Sequence, residues 1–254
     1  MSIITYEQPL NERIRTLLRL EFLFNQADNC LLGTSPWDSR QSLFTLLDIL
    51  NIFSRSDLKS EVIMELERQV GYLSRLEQNP DVDNTKLGPI LDDMDILLDK
   101  LHGTHGQIGQ LLKQNEFLSS IKQRCSIPGG TCDFDLPAYH YWLAHHSDKR
   151  QGDLKKWFAE FGTIRAAMGM ILRLVRDSAT SSDERAIAGF FQQTLDANVP
   201  YQLIRVALPE DNPCFAEISG GKHRFTIRFM EMNIVERPVQ TSRDVNFTLT
   251  TCVI

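Results

Sequence analysis

The chain has 254 residues, enough for one large domain or two smaller ones. With 42% hydrophobic and 24% charged residues it can bury a full core, which excludes a disordered chain. Its formal net charge of −6 argues against a general nucleic-acid binder, which needs a positive field, so any basic site has to be a local patch.

The opening, MSIITYEQPLNERIR, lacks a basic segment followed by an apolar run, so no secretory signal is expected. No charge-free stretch exceeds twelve residues, and one of that length, residues 136–147, contains three histidines and a proline. No segment approaches the roughly 18–20 apolar residues that a membrane span requires. A soluble, cytoplasmic protein is expected. The five cysteines (Cys30, Cys125, Cys132, Cys214, Cys252) are odd in number, scattered and free of C-x-x-C pairs, the usage of reduced, packed thiols.

From about Pro9 to Ser178 the apolar residues recur at intervals of three and four. Leu10, Ile14, Leu17, Leu18 and Phe22 mark one face of a first helix, with Arg13, Arg15, Arg19 and Glu21 elsewhere on it. Residues 42–53 repeat the pattern. Asp57 is placed to cap a helix over 58–77 whose stripe is Val62, Leu66, Val70 and Leu73. That stripe fits either a core face or a seam between subunits, and core is the expectation. The run at 79–83, NPDVD, ends the helix. Helical spacing resumes over 89–101 and 107–124, with a Gly-containing turn at 102–106 between them. Residues 126–135 form a loop. Asp135 before Pro137 looks like a helix start whose carboxylate accepts the orphan amides of the first turn. The longest helical pattern runs over 154–177.

After about Thr180 the period changes to two. Residues 201–208, 225–229 and 245–249 alternate as half-buried strands, bounded by Pro209, Pro213, Gly220-Gly221 and Pro238. Residues 189–194 fit a further strand hairpinning into Tyr201, or a short helix. Ile3 to Tyr6, β-branched and aromatic, are suited to pair with the same sheet. The expected fold class is therefore α+β. A mainly α-helical domain spans 9–180, and a small, mostly antiparallel β domain over 1–8 and 185–254 holds both termini. No internal repeat is apparent.

The segment GGKHRFTIRF at 220–229 carries the most chemistry. Successive strand side chains point to opposite faces, so Phe225, Ile227 and Phe229 go to the core and Arg224, Thr226 and Arg228 to the other side. The two arginines then lie about 13 Å apart along the strand, and Lys222 shares their parity if the strand begins that early. No acidic residue lies between Ile218 and Met230. Guanidinium groups present planar donor forks suited to carboxylates and phosphates. Two readings of the stripe remain: solvated or internally paired residues on an open sheet face, or an anion or peptide site.

Other candidates point to packing. Cys125, Cys132 and His140 invite a nucleophile or metal reading, but their spacing matches no common zinc site, and a Cys–His pair needs an adjacency that spacing does not show. His140, between aromatics in PAYHYWL, reads as a packed histidine. Gly129-Gly130 lacks a phosphate-loop spacing and reads as a turn. Arg13, Arg15 and Arg19, mixed with Glu12 and Glu21, read as a solvated helix face. No catalytic residue, metal or cofactor is expected.

Three stretches together resemble the ZapD family of bacterial division proteins: EQPLNERIRTLLRLEFL at 7–23, SIPGGTCDFDLPAYHYWL at 126–143 and SGGKHRFTIRF at 219–229. The similarity runs weakly between them over the whole chain. It implies a helical domain carrying a small β domain, a homodimer, and a cytoplasmic protein of the mid-cell division ring. It further implies a protein that binds the C-terminal tail of FtsZ, a tubulin-like GTPase, and bundles its filaments in support of septation. The binding residues it implies are Arg55, Arg224 and Arg228, to which the strand parity adds Lys222. The expected mode is a cleft between the two domains presenting these cations to an extended, partly acidic tail. The rival readings are an anion- or nucleic-acid-binding protein using the same arginines, and a cysteine-dependent hydrolase.

Overall fold

The computed structural model describes residues 2–54, 57–77, 79 and 83–254. In chain order the elements are β1 (Ile3–Pro9), α1 (Glu12–Leu32), α2 (Pro36–Phe53), α3 (Leu58–Leu76), α4 (Asn84–Gly103), α5 (Gln110–Lys113), α6 (Glu116–Arg124), α7 (Pro137–Leu143), α8 (Ser147–Ala159) and α9 (Gly162–Asp177). There follow β2 (Ala179–Ala186), β3 (Phe190–Thr194), β4 (Tyr201–Pro209), β5 (Cys214–Gly220), β6 (Arg224–Glu231), β7 (Val239–Gln240) and β8 (Val245–Val253). The fold class is α+β, with both termini in strands. Two compact units result, Met1–Leu18 with Ile171–Ile254, and Arg19–Met170.

The helical unit starts from strong local signals. Ser35 and Asp38 form a reciprocal capping box at α2, each side chain bonding the other's backbone amide, with Pro36 at the first helical position. Asp57 caps α3 as its position in the sequence implies, its carboxylate taking the Ser60 hydroxyl at 2.7 Å. Val62, Leu66 and Leu73 of the expected stripe are buried, and Val70 is half-buried. Between them Glu65 and Gln69 are fully buried, with Gln69 Nε2 donating to Glu65 at 3.1 Å and Arg68 Nε at 3.0 Å. Phe161 packs on Phe24 and Phe53 at ring distances of 6.0 and 5.3 Å. Gly109, at φ +72, lies so close to Leu50 and Phe161 that a Cβ there would collide at 2.8 Å. Arg150, 4% exposed, ties together Ser39 Oγ (3.0 Å), the Thr34 carbonyl (2.7 Å) and the carbonyl of His145.

Several expected boundaries shift. The pattern over 107–124 is two helices, because Asn115 turns its side chain to the amide of Leu118 (3.1 Å) and starts a new one. The pattern over 154–177 is likewise α8 and α9, separated at Glu160 and Phe161. Helix α4 starts at Asn84, capped by Asp83, so Pro89 lies inside it rather than at its beginning. Asp135 does not cap α7. Its carboxylate takes Arg124 at 3.1 Å and the Cys132 thiol at 3.4 Å, and the helix begins at Pro137 without a side-chain cap. The sequence places a helix break at 79–83, of which residues 80–82 lie outside the described residues.

The β unit is two antiparallel sheets packed face to face. One has the order β1-β4-β8-β2; the other is β3-β6-β5, with β7 pairing β6 beyond the end of β3. Their facing side chains form one core of Ile204, Val206, Leu208, Phe225, Ile227, Phe229, Val245, Phe247 and Leu249 among others. Phe247 meets Phe229 at 5.0 Å and Phe191 at 5.2 Å across it. Residues 190–194 are indeed a strand, but it pairs with β6 and not with the strand from Tyr201; a tight turn closed by the Ile187–Phe190 bridge leads into it from β2, which lies in the other sheet. Ala188 (φ 48) and Gly189 (φ 70) both take the left-handed conformation that a tight two-residue hairpin needs. A Cβ on Gly189 would lie 2.6 Å from the Thr241 carbonyl. Strand β2 itself, ATSSDERA, is so polar and exposed that no period announces it.

Candidate functional site

Strand β6 puts its odd-numbered residues Phe225, Ile227 and Phe229 in the core at 0–1% exposure, and leaves Arg224 and Arg228 exposed on the outer face with Thr226 half-buried between them. The period-two reading of this segment therefore holds residue by residue. The sheet register supplies what a single strand does not: the neighbours on that face. Arg224 lies opposite Thr194 of β3, Thr226 opposite Gln192 and Ser219, and Arg228 opposite Phe190 of β3 and Glu217 of β5.

Two of these neighbours escape the sequence reading. Glu217 stands one residue before the acid-free window, and the β5–β6 hairpin folds it back directly across from Arg228. Phe190 reaches the other flank of Arg228 only through the pairing of β3 with β6. No sequence signal short of the register marks either one.

Among the described residues, the side chains of Lys222, Arg224 and Arg228 make no hydrogen bond or ion pair. Other arginines of this unit are held. Glu7 takes Arg176 at 2.8–2.9 Å and Arg205 at 3.1 Å, Asp244 takes Arg185 at 2.7 Å, and Glu231 takes Arg243 at 2.9 Å. The hydrogen bonds from Thr241 and then Arg243 hold the Glu231 carboxyl below its usual range, as those of Ala188 and Arg185 do for Asp244. Glu7, Asp244 and Glu231 are thus committed to other arginines, and the two arginines of β6 face solvent without an ion pair, Glu217 being the carboxylate that stands directly across from Arg228.

Lys222 is not part of the strand. The ladder ends at the pair Gly220 and Phe225, and the Gly221 amide bonds the Arg224 carbonyl at 3.1 Å, so Lys222 sits exposed in the turn. It lines two neighbouring depressions. One, of about 440 Å³, runs from Ser219 to Thr226 and includes Arg224; the other, of about 310 Å³, includes Leu10, Asn11, Pro200 and Tyr201. Arg55 lies outside the described residues. A depression of about 840 Å³ on the helical unit is lined by its neighbours Ser54 and Asp57 together with Phe53, Ile63 and Met64, and contains none of the β6 residues.

The remaining candidates resolve individually. His140 is 58% exposed, with Nδ1 3.1 Å from an Asp133 carboxylate oxygen, so it is not the packed histidine expected; its neighbours Tyr139 and Trp142 fill the core instead. Cys125 is exposed and Cys132 half-buried, and the Cys132 thiol faces Asp135 rather than a histidine. Gly129, at φ +72, and Gly130 form a turn in the 126–135 loop. Arg15 pairs with Glu12 on the α1 surface at 3.5 Å. Among the described residues no cluster of three or more His, Cys, Asp or Glu is placed to hold a metal, and no helix is long and apolar enough to cross a membrane.

Comparison with known proteins now bears on these features. The model of the ZapD family, described as a cell division protein, matches residues 18–228, a span that includes the 126–143 loop and most of β6. Cell division protein ZapD of Methylococcus capsulatus is 45% identical over 251 residues, covering 99% of this chain and 98% of its own. The ZapD proteins of Ralstonia pickettii and Coxiella burnetii are 41% and 39% identical, covering 98% and 99% of this chain and 99% and 98% of theirs. The chain belongs to the ZapD family. That membership gives it a role in cell division, and the ZapD match covers both the helical unit and β6 of the β unit.

Proposed function

We propose that this chain binds the partly acidic C-terminal tail of FtsZ through Arg224, Arg228 and Lys222, and as a homodimer joins FtsZ filaments at the mid-cell ring. The observation that carries the proposal is the pair of exposed arginines on β6 that form no ion pair among the described residues, in a chain whose net charge is −6. An extended acidic segment laid along the strand satisfies both guanidinium forks and is steered toward them over a Debye length of roughly 10 Å. The family resemblance implies Arg55 as a further cation for FtsZ.

One such contact with a flexible peptide is weak, because the segment loses its freedom on binding. A two-fold dimer carries two sites, and a filament repeats the tail at each subunit, so avidity supplies what one site lacks. Septation is supported through the joining of filaments and involves no bond-making step. The test is co-sedimentation with intact FtsZ and with FtsZ lacking its tail. Bundling and co-pelleting with intact FtsZ alone are expected, and equal pelleting of both forms overturns tail recognition. Equal affinity for a DNA duplex and for the tail peptide overturns it in favour of a general anion binder.

A further inference from the structure

The outer face of β6 changes character along its length. Its Gly221 end is cationic, with Lys222 and Arg224. Beyond Arg228 it becomes apolar. Phe190, opposite Arg228, is 40% exposed, and the next pair on this face is half-buried Met230 opposite half-buried Phe215. The connection from β6 to β7 follows, where Met232, Ile234 and Val235 are 71%, 97% and 92% exposed. This tip is built rather than loose: the Asn233 side chain accepts the amides of Val235 at 3.0 Å and Glu236 at 3.2 Å, which holds Ile234 and Val235 outward. Soluble proteins rarely leave so many large apolar side chains together on the surface unless they serve a contact.

We infer that this face is a two-part docking strip for an extended peptide, taking acidic residues at Lys222, Arg224 and Arg228 and large apolar residues at Phe190, Met230 and the Met232–Val235 tip. The inference rests on the arginine reading above and deepens it: it names an apolar half of the ligand and the residues that receive it. From Arg224 through β6 to Met232 just beyond it, nine residues make eight steps of roughly 26 Å in all, which fits an extended segment of about nine residues. Glu217 beside Arg228 partly offsets its charge and repels acidic ligand residues past it, so the acidic part of the ligand ends at Arg228 and the apolar part begins there. An anionic membrane also offers charge and apolar depth, but Glu231 and Glu236 flank the tip and the chain is net negative, so a peptide fits better.

The experiment uses the full chain and two fluorescent synthetic peptides of about nine residues. One has an acidic half and an Ile-Leu-Phe half; in the other serines replace the apolar half. In anisotropy titrations the apolar-bearing peptide is expected to bind about tenfold more tightly. That gain should vanish in Phe190→Ser and in the Met232→Ser/Ile234→Ser double variant, both exposed positions, while the serine peptide binds these variants as it binds the parent. Arg224→Glu should weaken both peptides. Equal binding of the two peptides by the parent, or a gain that survives both variants, overturns the apolar half and leaves the arginine reading standing. Failure of both peptides to bind removes the arginine reading as well. Tip-dependent binding to phosphatidylglycerol vesicles with no peptide preference assigns the tip to a membrane and also overturns the inference.

Discussion

Reversing the charge of Arg224 and Arg228 together isolates the electrostatics of the face without touching the core beneath it. Both side chains are exposed and unpaired among the described residues, so Arg224→Glu/Arg228→Glu removes no internal ion pair; the alternating Phe225, Ile227 and Phe229 stay packed. An exposed ion pair contributes about 0.2–1 kcal/mol, and reversal replaces attraction by repulsion of similar size. Each position then loses about 0.4–2 kcal/mol, which at 1.4 kcal/mol per tenfold is a weakening of about 2–30-fold per site. The two positions lie on one ligand path, so their losses should add approximately, and a bivalent assembly that needs both arms loses the factor twice. Peptide anisotropy reads the single-site loss, and light scattering of FtsZ reads the bivalent one, with Lys155→Glu as a matched reversal on the exposed surface of α8. Raising ionic strength from about 0.1 M to 1 M, which shortens the Debye length from about 10 to 3 Å, should weaken binding by the parent and strengthen it slightly in the double variant, bringing the two closer together. The reasoning is refuted if the double variant, with circular dichroism like the parent's, binds the tail as the parent and Lys155→Glu do.

Glu217→Gln should act in the opposite direction, tightening the tail peptide about two- to fivefold, because it removes the one carboxylate directly across the sheet from Arg228; unchanged or weaker binding by anisotropy counts against that placement. Phe229→Ala should cost about 3–5 kcal/mol in urea unfolding, since the ring is fully buried against Phe247. Tyr139 is buried with a hydroxyl that has no hydrogen-bond partner among the described residues, and burial pushes its pKa up to about 12. The unfolded chain, titrating at its ordinary value of 10, loses that proton first, so stability should fall as pH rises from 10 toward 12. Tyr139→Phe should flatten this alkaline limb in pH-dependent thermal melts without loss of stability at neutral pH.

The amino-acid sequence by itself determined whatever depends on neighbours within a few residues. The change of period near Thr180, the core and solvent faces of β6, and the Asp57 cap are all local consequences of side-chain alternation, and they stand in the structure as the sequence implies. Local signals fail where a polar side chain chooses among several local bonds, which is why Asn115 splits one expected helix and Asp135 turns to Arg124 instead of capping α7. Strand β2 lacks any apolar alternation because it is an exposed edge and buries almost nothing.

Only tertiary structure decided what stands beside the arginines. Register between β3, β6 and β5 is a long-range property, fixed by burial of one face of each strand and by the hairpin turns, and it brings Phe190 and Glu217 to either flank of Arg228. The same holds for the commitment of Glu7, Glu231 and Asp244 to other arginines, which leaves Arg224 and Arg228 without an ion pair among the described residues. A linear sequence shows which residues carry charge; which charges are already spent depends on pairings made across tens to hundreds of residues by the packed chain.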